Sequence, residues 1–247
     1  DLSGIDNFYR MMTPDFYQSE AIVNFLLSKQ LSSIYLIAEP STYVKSNLDY
    51  FNVVANDRLK IVGGVDLGQE ELPADLAFKL LESEAQAVVF FGGSSAASTV
   101  IEKMNTGEQE LVFIGCDLLD DPGLMIPQDG KVSVYYTSSS LRLGGLKEEE
   151  ILSFYEEALG DSSYQPFAYE TSQAIWFALD ALQMRTEQQT PREAVWRNLS
   201  RSNVRGYQGR QYSLTNHQRY PFEIFMYQAV PGQEWMKNPL ADTYQVR

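Results

Sequence analysis

Short apolar segments alternate with helical segments along the first half of this chain, and this rhythm restricts the folds open to it. Apolar runs rich in β-forming residues occupy residues 32–39, 59–67, 85–93 and 110–119. Segments with helical spacing separate them, at about 25–28 residues per strand–helix unit. Strands joined by helices at this spacing pair in parallel within one sheet. We therefore expect an α/β fold, a Rossmann-like parallel sheet flanked by helices.

The pattern changes in the second half of the chain. A strand over 130–140 runs into a polar, serine-rich stretch, where a chain can pass from one domain to another. Three helical segments follow without a strand between them, at 146–160, 169–184 and 191–200. A glycine-rich, polar stretch then leads to a closing strand over 221–230.

The helical segment at 169–184 carries apolar residues around nearly its whole circumference. A helix of that kind is buried on most sides, so we expect Trp176 to be a core residue. The neighbouring sequence supplies no strand to cover this helix.

Charge and composition exclude several classes of function. The 247 residues carry a net charge of −14, and affinity for phosphate backbones comes from Lys and Arg, so nucleic acid is not an expected partner. No apolar run reaches about 18 residues, so no membrane span is expected. Cys116 is the single cysteine, which rules out an internal disulfide. The single histidine, His217, lies in a polar stretch and is expected in a solvated loop.

The sequence does not group residues that could carry out catalysis. No nucleophile stands beside a base, and spacing alone places no carboxylates together. The glycine turn at 92–93 precedes Ser94 and Ser95 but lacks the GK[ST] that follows in a phosphate loop. We expect no enzymatic activity, no cofactor and no metal site, with Asp120 and Asp121 as turn residues.

Several segments, in a fixed order, resemble one protein family. The segment 7–51, the runs VVFFGG (88–93) and FIGCDLLDDPGL (113–124), the helix AYETSQAIWFALDAL (168–182) and the stretch 204–228 follow the order of motifs in the type I periplasmic binding proteins. The branch that they resemble most comprises the branched-chain amino-acid binding proteins and the related receptor ligand-binding domains. The resemblance covers essentially the whole chain, and its specificity lies in the order and spacing of the motifs.

This resemblance implies a division into two lobes. Residues 11–137 and 221–247 match the second, ligand-binding α/β lobe, and residues 1–10 and 138–220 match the helical remainder of the first lobe. Members of the family carry about 110–130 further residues before this match, the size of a single domain. Those residues build the sheet of the first lobe, against which the helix at 169–184 packs in the family.

The resemblance also implies a ligand site at the carboxyl ends of the strands, where open parallel sheets bind ligands. Asp117 matches an acidic residue that holds the α-ammonium group of a ligand, and Tyr43 matches a ligand-contacting tyrosine. Ser94 and Ser95 fall where amino-acid binders have polar or aromatic contacts, at a helix start suited to a carboxylate. Tyr136 lies at the predicted lobe crossing and is expected to line the cleft.

Each of these residues also has an ordinary structural interpretation. Asp117 can cap a turn, and Tyr43 can be a core aromatic on the first turn of a helix. Ser94 and Ser95 can form a helix N-cap after a glycine turn, and Tyr136 can belong to a linker.

The function implied by the resemblance is that of an extracytoplasmic solute-binding protein, periplasmic or extracellular. Such a protein closes two lobes on a small ligand, here an amino acid or a similar metabolite, and serves an ABC permease or a sensor. The alternative is a regulatory or interaction domain that kept the fold and lost the ligand. Val44 motivates this alternative because the family has a glycine at that place.

Overall fold

The structure, a computed structural model, describes residues 8–140, 153, 157, 168–205, 211–233 and 235–246. The chain divides into two compact units. One, which we call the sheet unit, comprises Pro14–Ser139 and Ile224–Tyr244. The other, which we call the helical unit, comprises Asp1–Thr13, Ser140–Glu223 and Gln245–Arg247.

The described residues form ten strands. They are β1 (Ser33–Ala38), β2 (Lys60–Asp66), β3 (Ala87–Phe91), β4 (Leu111–Gly115), β5 (Val132–Ser138), β6 (Asn203–Arg205), β7 (Gln211–Thr215), β8 (Gln218–Tyr220), β9 (Phe222–Ala229) and β10 (Leu240–Val246). Seven of them make one sheet in the order β10-β9-β5-β4-β3-β1-β2. Strands β1 to β5 pair in parallel, and β9 runs antiparallel to β5.

Helices lie between β1 and β2, between β2 and β3, and between β3 and β4, as the alternation in the sequence predicts. The α-helices among the described residues are α1 (Phe16–Ser28), α2 (Thr42–Ala55), α3 (Leu76–Glu82) and α4 (Ser94–Met104) in the sheet unit, and α5 (Ala168–Gln183) and α6 (Pro191–Asn198) in the helical unit. This α/β architecture confirms the predicted fold class. The helix predicted at 146–160 lies, apart from Ser153 and Glu157, outside the described residues.

The central strand β3 shows why the sheet forms. All five of its residues are buried, because β1 and β4 flank it and helices cover both faces. The Phe90 ring stacks on Phe113 of β4 with centroids 5.5 Å apart, and Phe91 meets Phe51 of α2 edge-to-face at 5.4 Å. Parallel strands buried on both faces read as continuous apolar runs, which is the pattern that the sequence displays.

The helical unit contains a small sheet that the sequence pattern did not predict. Strands β6, β7 and β8 pair antiparallel within a stretch that composition alone indicated as a polar loop. Asn216 and His217 join β7 to β8 as a two-residue turn, and both have positive φ angles, 49° and 61°. Such a turn matches the twist of a hairpin. His217 therefore does lie in a loop, with its ring 4.8 Å from that of Tyr9.

Helix α5 corrects the expectation that it is buried on most sides. Phe177 and Ala181 are buried, but Trp176 is 57% exposed and Ile175 is 56% exposed, with Leu179 beside them at 43%. The buried stripe packs on β6 and β7, and the opposite stripe has no cover among the described residues. In the part of the chain that the structure describes, none of the helices has the length and apolarity needed to cross a membrane.

Two phenylalanines of the sheet unit provide a matched test of its core. We predict that Phe90→Ala lowers the free energy of unfolding by about 3–5 kcal/mol, because the side chain is fully buried. Phe78→Ala, on the 56% exposed Phe78, should change it by less than about 1 kcal/mol. Chemical denaturation of both variants checks this, and equal losses would contradict the fold.

A second pair tests the exposed stripe of α5. Trp176→Ser should leave the free energy of unfolding within about 0.5 kcal/mol of the wild type, as for other exposed positions. Phe177→Ala, one residue along and 1% exposed, should lower it by about 3–5 kcal/mol. If Trp176→Ser destabilises the protein as much as Phe177→Ala, then the exposed stripe is covered in solution.

Candidate functional site

Three loops meet at one edge of the sheet. They follow β1, β3 and β4, which are adjacent and parallel, so their carboxyl ends lie side by side. These loops are residues 39–43, 92–95 and 116–121. They contain four carboxylates and neither a lysine nor an arginine. This edge is where ligands bind in open parallel sheets.

Asp117 and Tyr43 come together at this edge. The Tyr43 hydroxyl donates a hydrogen bond to Asp117 Oδ1 at 2.7 Å. Asp117 opens a short 3₁₀ turn, Asp117–Leu119, after β4, and Tyr43 lies on the first turn of α2. The sequence places these residues 74 positions apart, and only the parallel order of the strands unites them.

Gln18 on the first turn of α1 belongs to the same cluster, and Asp15 Oδ1 lies beside it, 3.3 Å from Gln18 Nε2 and 3.4 Å from the Tyr43 hydroxyl. Gln18 Nε2 donates to Asp117 Oδ2 at 3.0 Å, and its Oε1 accepts from the Asp117 backbone N–H at 3.1 Å. The same oxygen accepts from the Thr137 hydroxyl of β5 at 2.8 Å. These two donors fix which way the amide faces. The Gln18 amide therefore always presents its N–H to the Asp117 carboxylate.

The surroundings disfavour a charge on both partners. Burial raises the pKa of Asp117 above its usual value, the hydrogen bond from Tyr43 lowers it in part, and the nearby charge of Asp15 raises it further. Burial also raises the pKa of the Tyr43 phenol, and the charge of Asp117 adds to this. Burial raises the pKa of the Cys116 thiol to about 12, so this cysteine stays protonated.

The Asp117 carboxylate keeps the capacity to bind a cation. A carboxylate offers about four lone-pair sites, and the contacts from Tyr43 and Gln18 use one on each oxygen. Asp117 is half-buried, so one side of it meets solvent at the sheet edge. A carboxylate held in this way and partly desolvated is suited to an ammonium or guanidinium group.

Ser94 and Ser95 begin α4 at the same edge, but two polar groups at this helix start already have partners within the protein. Glu39 Oε2 accepts from the Gly93 backbone N–H at 2.6 Å. The Ser94 hydroxyl donates to Asp121 Oδ1 at 3.2 Å, and the exposed Ser95 opens to solvent. Asp121 also accepts from the Gly123 N–H at 2.6 Å, which is the turn role predicted for it.

The structure places Tyr136 away from this cluster. Its side chain is fully buried, its ring stacks on Tyr227 at 5.9 Å, and Asn238 Nδ2 donates to its hydroxyl at 3.1 Å. The reason is strand alternation: its neighbours on β5, Tyr135 and Thr137, point to the opposite face of the sheet. Tyr136 is a core residue of the sheet unit, not a residue of the edge.

Sequence reasoning missed Gln18 and gave Glu39 no role. A signal for Gln18 exists, since it shares the apolar face of α1 with Ile22 and Phe25, at spacings of four and seven residues. A polar residue on such a face needs a buried partner. Glu39 directly follows a buried strand, but nothing in the sequence indicates that its carboxylate reaches the next loop.

Two further observations bear on the chemistry of the sheet unit. Among the described residues, no group of three or more His, Cys, Asp or Glu side chains could hold a metal ion. A groove of about 920 Å³ lies between α2 and the edge strand β2, and Glu39 lines it, but Tyr43 and Asp117 do not. The groove and the Asp117 cluster are thus separate features of the sheet unit.

Comparisons with known proteins gave matches at the level of structure. The sequence matches no protein-family model, and no curated protein matches it. A branched-chain amino acid ABC transporter periplasmic ligand-binding protein from Burkholderia xenovorans LB400 is similar, with a TM-score of 0.72 and 12% sequence identity. That match covers 96% of this chain and 65% of the other.

Two further solved structures show the same relationship. A leucine-, isoleucine-, valine-, threonine- and alanine-binding protein from Brucella ovis gives a TM-score of 0.71 at 12% identity, over 96% of this chain and 64% of the other. A solute-binding protein of an ABC transporter from R. palustris, in complex with benzoate, gives a TM-score of 0.67 at 10% sequence identity, over 98% of this chain and 67% of the other.

These likenesses confirm the fold that the sequence motifs predicted. The chain spans about 65% of the length of the Burkholderia protein. Over that span its described strands and helices build the fold of the type I periplasmic binding proteins, the class to which these ABC transporter ligand-binding proteins belong.

Proposed function

We propose that this chain contains the ligand-binding lobe of an extracytoplasmic solute-binding protein. The lobe is the sheet unit, and its ligand is an amino acid or a similar small metabolite that carries an amine. Asp117 and Tyr43 hold the ammonium group, and Ser94 and Ser95 line the same edge. The role is binding for ABC transport or sensing, without covalent chemistry.

The observation that carries this proposal is the Asp117 cluster at the carboxyl edge of the sheet. A half-buried carboxylate with a raised pKa destabilises the free protein, and groups of that kind concentrate at functional sites. The solved neighbours support the class of function, since the Brucella protein is an amino-acid-binding protein and the R. palustris protein is in complex with benzoate.

An interaction domain without a small ligand is the second candidate function. It is favoured by the hydrogen bonds that Asp117 already makes, because Tyr43 and Gln18 supply a donor to each carboxylate oxygen. Val44 gives this alternative no support, since its side chain is 3% exposed and packs in the core beneath α2.

A ligand screen with an Asp117 variant distinguishes the two functions. We predict that an amine-bearing ligand, from a panel of amino acids that includes leucine and threonine, raises the unfolding temperature of the wild type. Asp117→Ala should weaken binding of that ligand by about 2–5 kcal/mol, because the ammonium loses its charged partner. Differential scanning fluorimetry identifies the ligand, and calorimetry measures the loss.

Asp129→Ala is the matched control, since it removes an exposed carboxylate from a turn of the same unit. It should bind like the wild type. Equal binding by Asp117→Ala would remove Asp117 from the site, and no response to any member of the panel would favour the interaction domain.

The pH dependence of stability gives an independent prediction for Asp117. Its pKa is raised above 3.8 in the folded protein, so the folded state binds the proton more readily than the unfolded state. This contribution to stability is complete below pH 3.8 and is lost as the pH rises through the folded pKa. The neutral carboxamide that Asp117→Asn introduces carries no such charge at any pH in this range.

We therefore predict that Asp117→Asn becomes progressively more stable than the wild type as the pH rises above 3.8. Urea denaturation at a series of pH values measures the difference, with Asp129→Asn as the matched control. A difference that is constant across this range would show that the Asp117 charge carries no burial penalty.

A further inference from the structure

The start of α4 is the natural place on this edge for a ligand carboxylate. The helix has 11 residues and begins where the central strand β3 ends. The first backbone N–H groups of a helix lack partners within it, and the helix dipole favours negative charge there. An amino acid bound through Asp117 would bring its own carboxylate near this edge.

Glu39 brings a carboxylate of the protein itself to that place, where it accepts from one backbone N–H. Its Oε2 lies 2.6 Å from the Gly93 nitrogen, a short contact of the kind that a charged acceptor makes. Its own backbone N–H donates to the Phe91 carbonyl at 2.8 Å, which holds Glu39 against the end of β3. The side chain is thus anchored at both ends.

Gly92, the first of the two loop glycines, makes room for this arrangement. A Cβ atom at Gly92 would lie 2.6 Å from Glu39 Oε2 and 2.8 Å from its Cγ. A side chain at position 92 would therefore displace the Glu39 carboxylate. The same Cβ atom would lie 2.6 Å from Cζ of Phe90, so Gly92 leaves room for both the Glu39 carboxylate and the Phe90 ring.

The other polar group at the helix start also faces a carboxylate. The Ser94 hydroxyl donates to Asp121, which the Gly123 N–H holds in position. A ligand carboxylate that approached Ser94 would meet Glu39 on one side and Asp121 on the other. Like charges repel each other. None of the three loops at this edge (39–43, 92–95 and 116–121) contains a lysine or an arginine to offset them.

We propose that Glu39 is a specificity-determining residue, which accepts from the Gly93 N–H at the start of α4 and excludes ligand carboxylates from this place by its charge. This inference rests on the proposed function, and it specifies which group of the ligand meets this lobe. The group that meets this lobe is a cation, and any carboxylate of the ligand is held elsewhere. Ser94 and Ser95 then line the edge without binding an anion.

Two leucine derivatives, each of which carries only one of the two charges of leucine, test this inference. L-Leucinamide keeps the ammonium and lacks the carboxylate, whereas N-acetyl-L-leucine keeps the carboxylate and lacks the ammonium. We expect leucinamide, but not N-acetylleucine, to raise the unfolding temperature of the wild type. Glu39→Ala should bind N-acetylleucine about tenfold more tightly than the wild type, because it frees the Gly93 N–H.

Glu102→Ala is the matched control, because it removes the same charge from an exposed position near the other end of α4. It should respond like the wild type. Glu39→Gln is the second variant, in which the amide oxygen can still accept from Gly93, and we expect it to gain less affinity for N-acetylleucine than Glu39→Ala. Equal binding of N-acetylleucine by the wild type and Glu39→Ala would overturn the inference.

An acetate titration separates this inference from the proposed function. Acetate is compared with chloride at equal ionic strength, and it needs only the helix start and not a complete ligand site. If acetate stabilises Glu39→Ala but neither the wild type nor Glu102→Ala, the role of Glu39 is supported even if no amine binds. An equal response of wild type, Glu39→Ala and Glu102→Ala overturns it, whatever the amine panel shows.

Discussion

The Gln18 side chain joins three separate elements of the sheet unit, and the geometry of the proposed site depends on it. Its amide oxygen accepts from the Thr137 hydroxyl of β5 and from the Asp117 backbone after β4. This leaves the amide N–H for the Asp117 carboxylate. A buried glutamine with both ends satisfied has one orientation, so the carboxylate that it holds also has one position.

The three loops at the carboxyl edge of the sheet carry four carboxylates and no lysine or arginine to balance them. Asp117 accepts hydrogen bonds from Tyr43 and Gln18, and Glu39 accepts one from the Gly93 N–H at the start of α4. Each arrangement keeps a carboxylate in place near solvent, where its charge repels anions and attracts cations. A helix start with free backbone N–H groups and free serine hydroxyls would instead suit phosphate or carboxylate ligands. The sequence of residues 92–95 alone does not tell such an anion site from one that Glu39 already contacts.

The sequence predicted those parts of the molecule that local patterns determine. Buried parallel strands appear as apolar runs such as residues 87–91, and the parallel order places Tyr43 and Asp117 at one edge. The hydrogen bonds of Gln18 to Asp117 and of Glu39 to Gly93 were not predictable, because strand order brings loops together but does not say which side chain reaches which neighbour. Side chains alternate between the two faces of the sheet along β5, and Tyr136 lies on the face opposite to Thr137, which contacts Gln18.

Other departures from prediction have the same origin. Composition indicated a polar loop where β7 and β8 form a hairpin, because the decisive feature is a pair of positive φ angles at Asn216 and His217. Periodicity indicated burial all around α5, but it cannot tell which neighbours are present. Trp176 is exposed because the described residues cover only the opposite stripe of that helix.

The most direct test of the account is ¹³C NMR of the side-chain carboxyl groups, with Asp117 assigned from the Asp117→Asn variant. A titration with L-leucinamide should shift the Asp117 carboxyl resonance, and bound cation should lower the pH at which this group titrates, because a neighbouring positive charge favours the ionised form. If the ligand binds and the Asp117 resonance and its titration are unchanged, the ammonium group lies elsewhere and the proposed site is wrong.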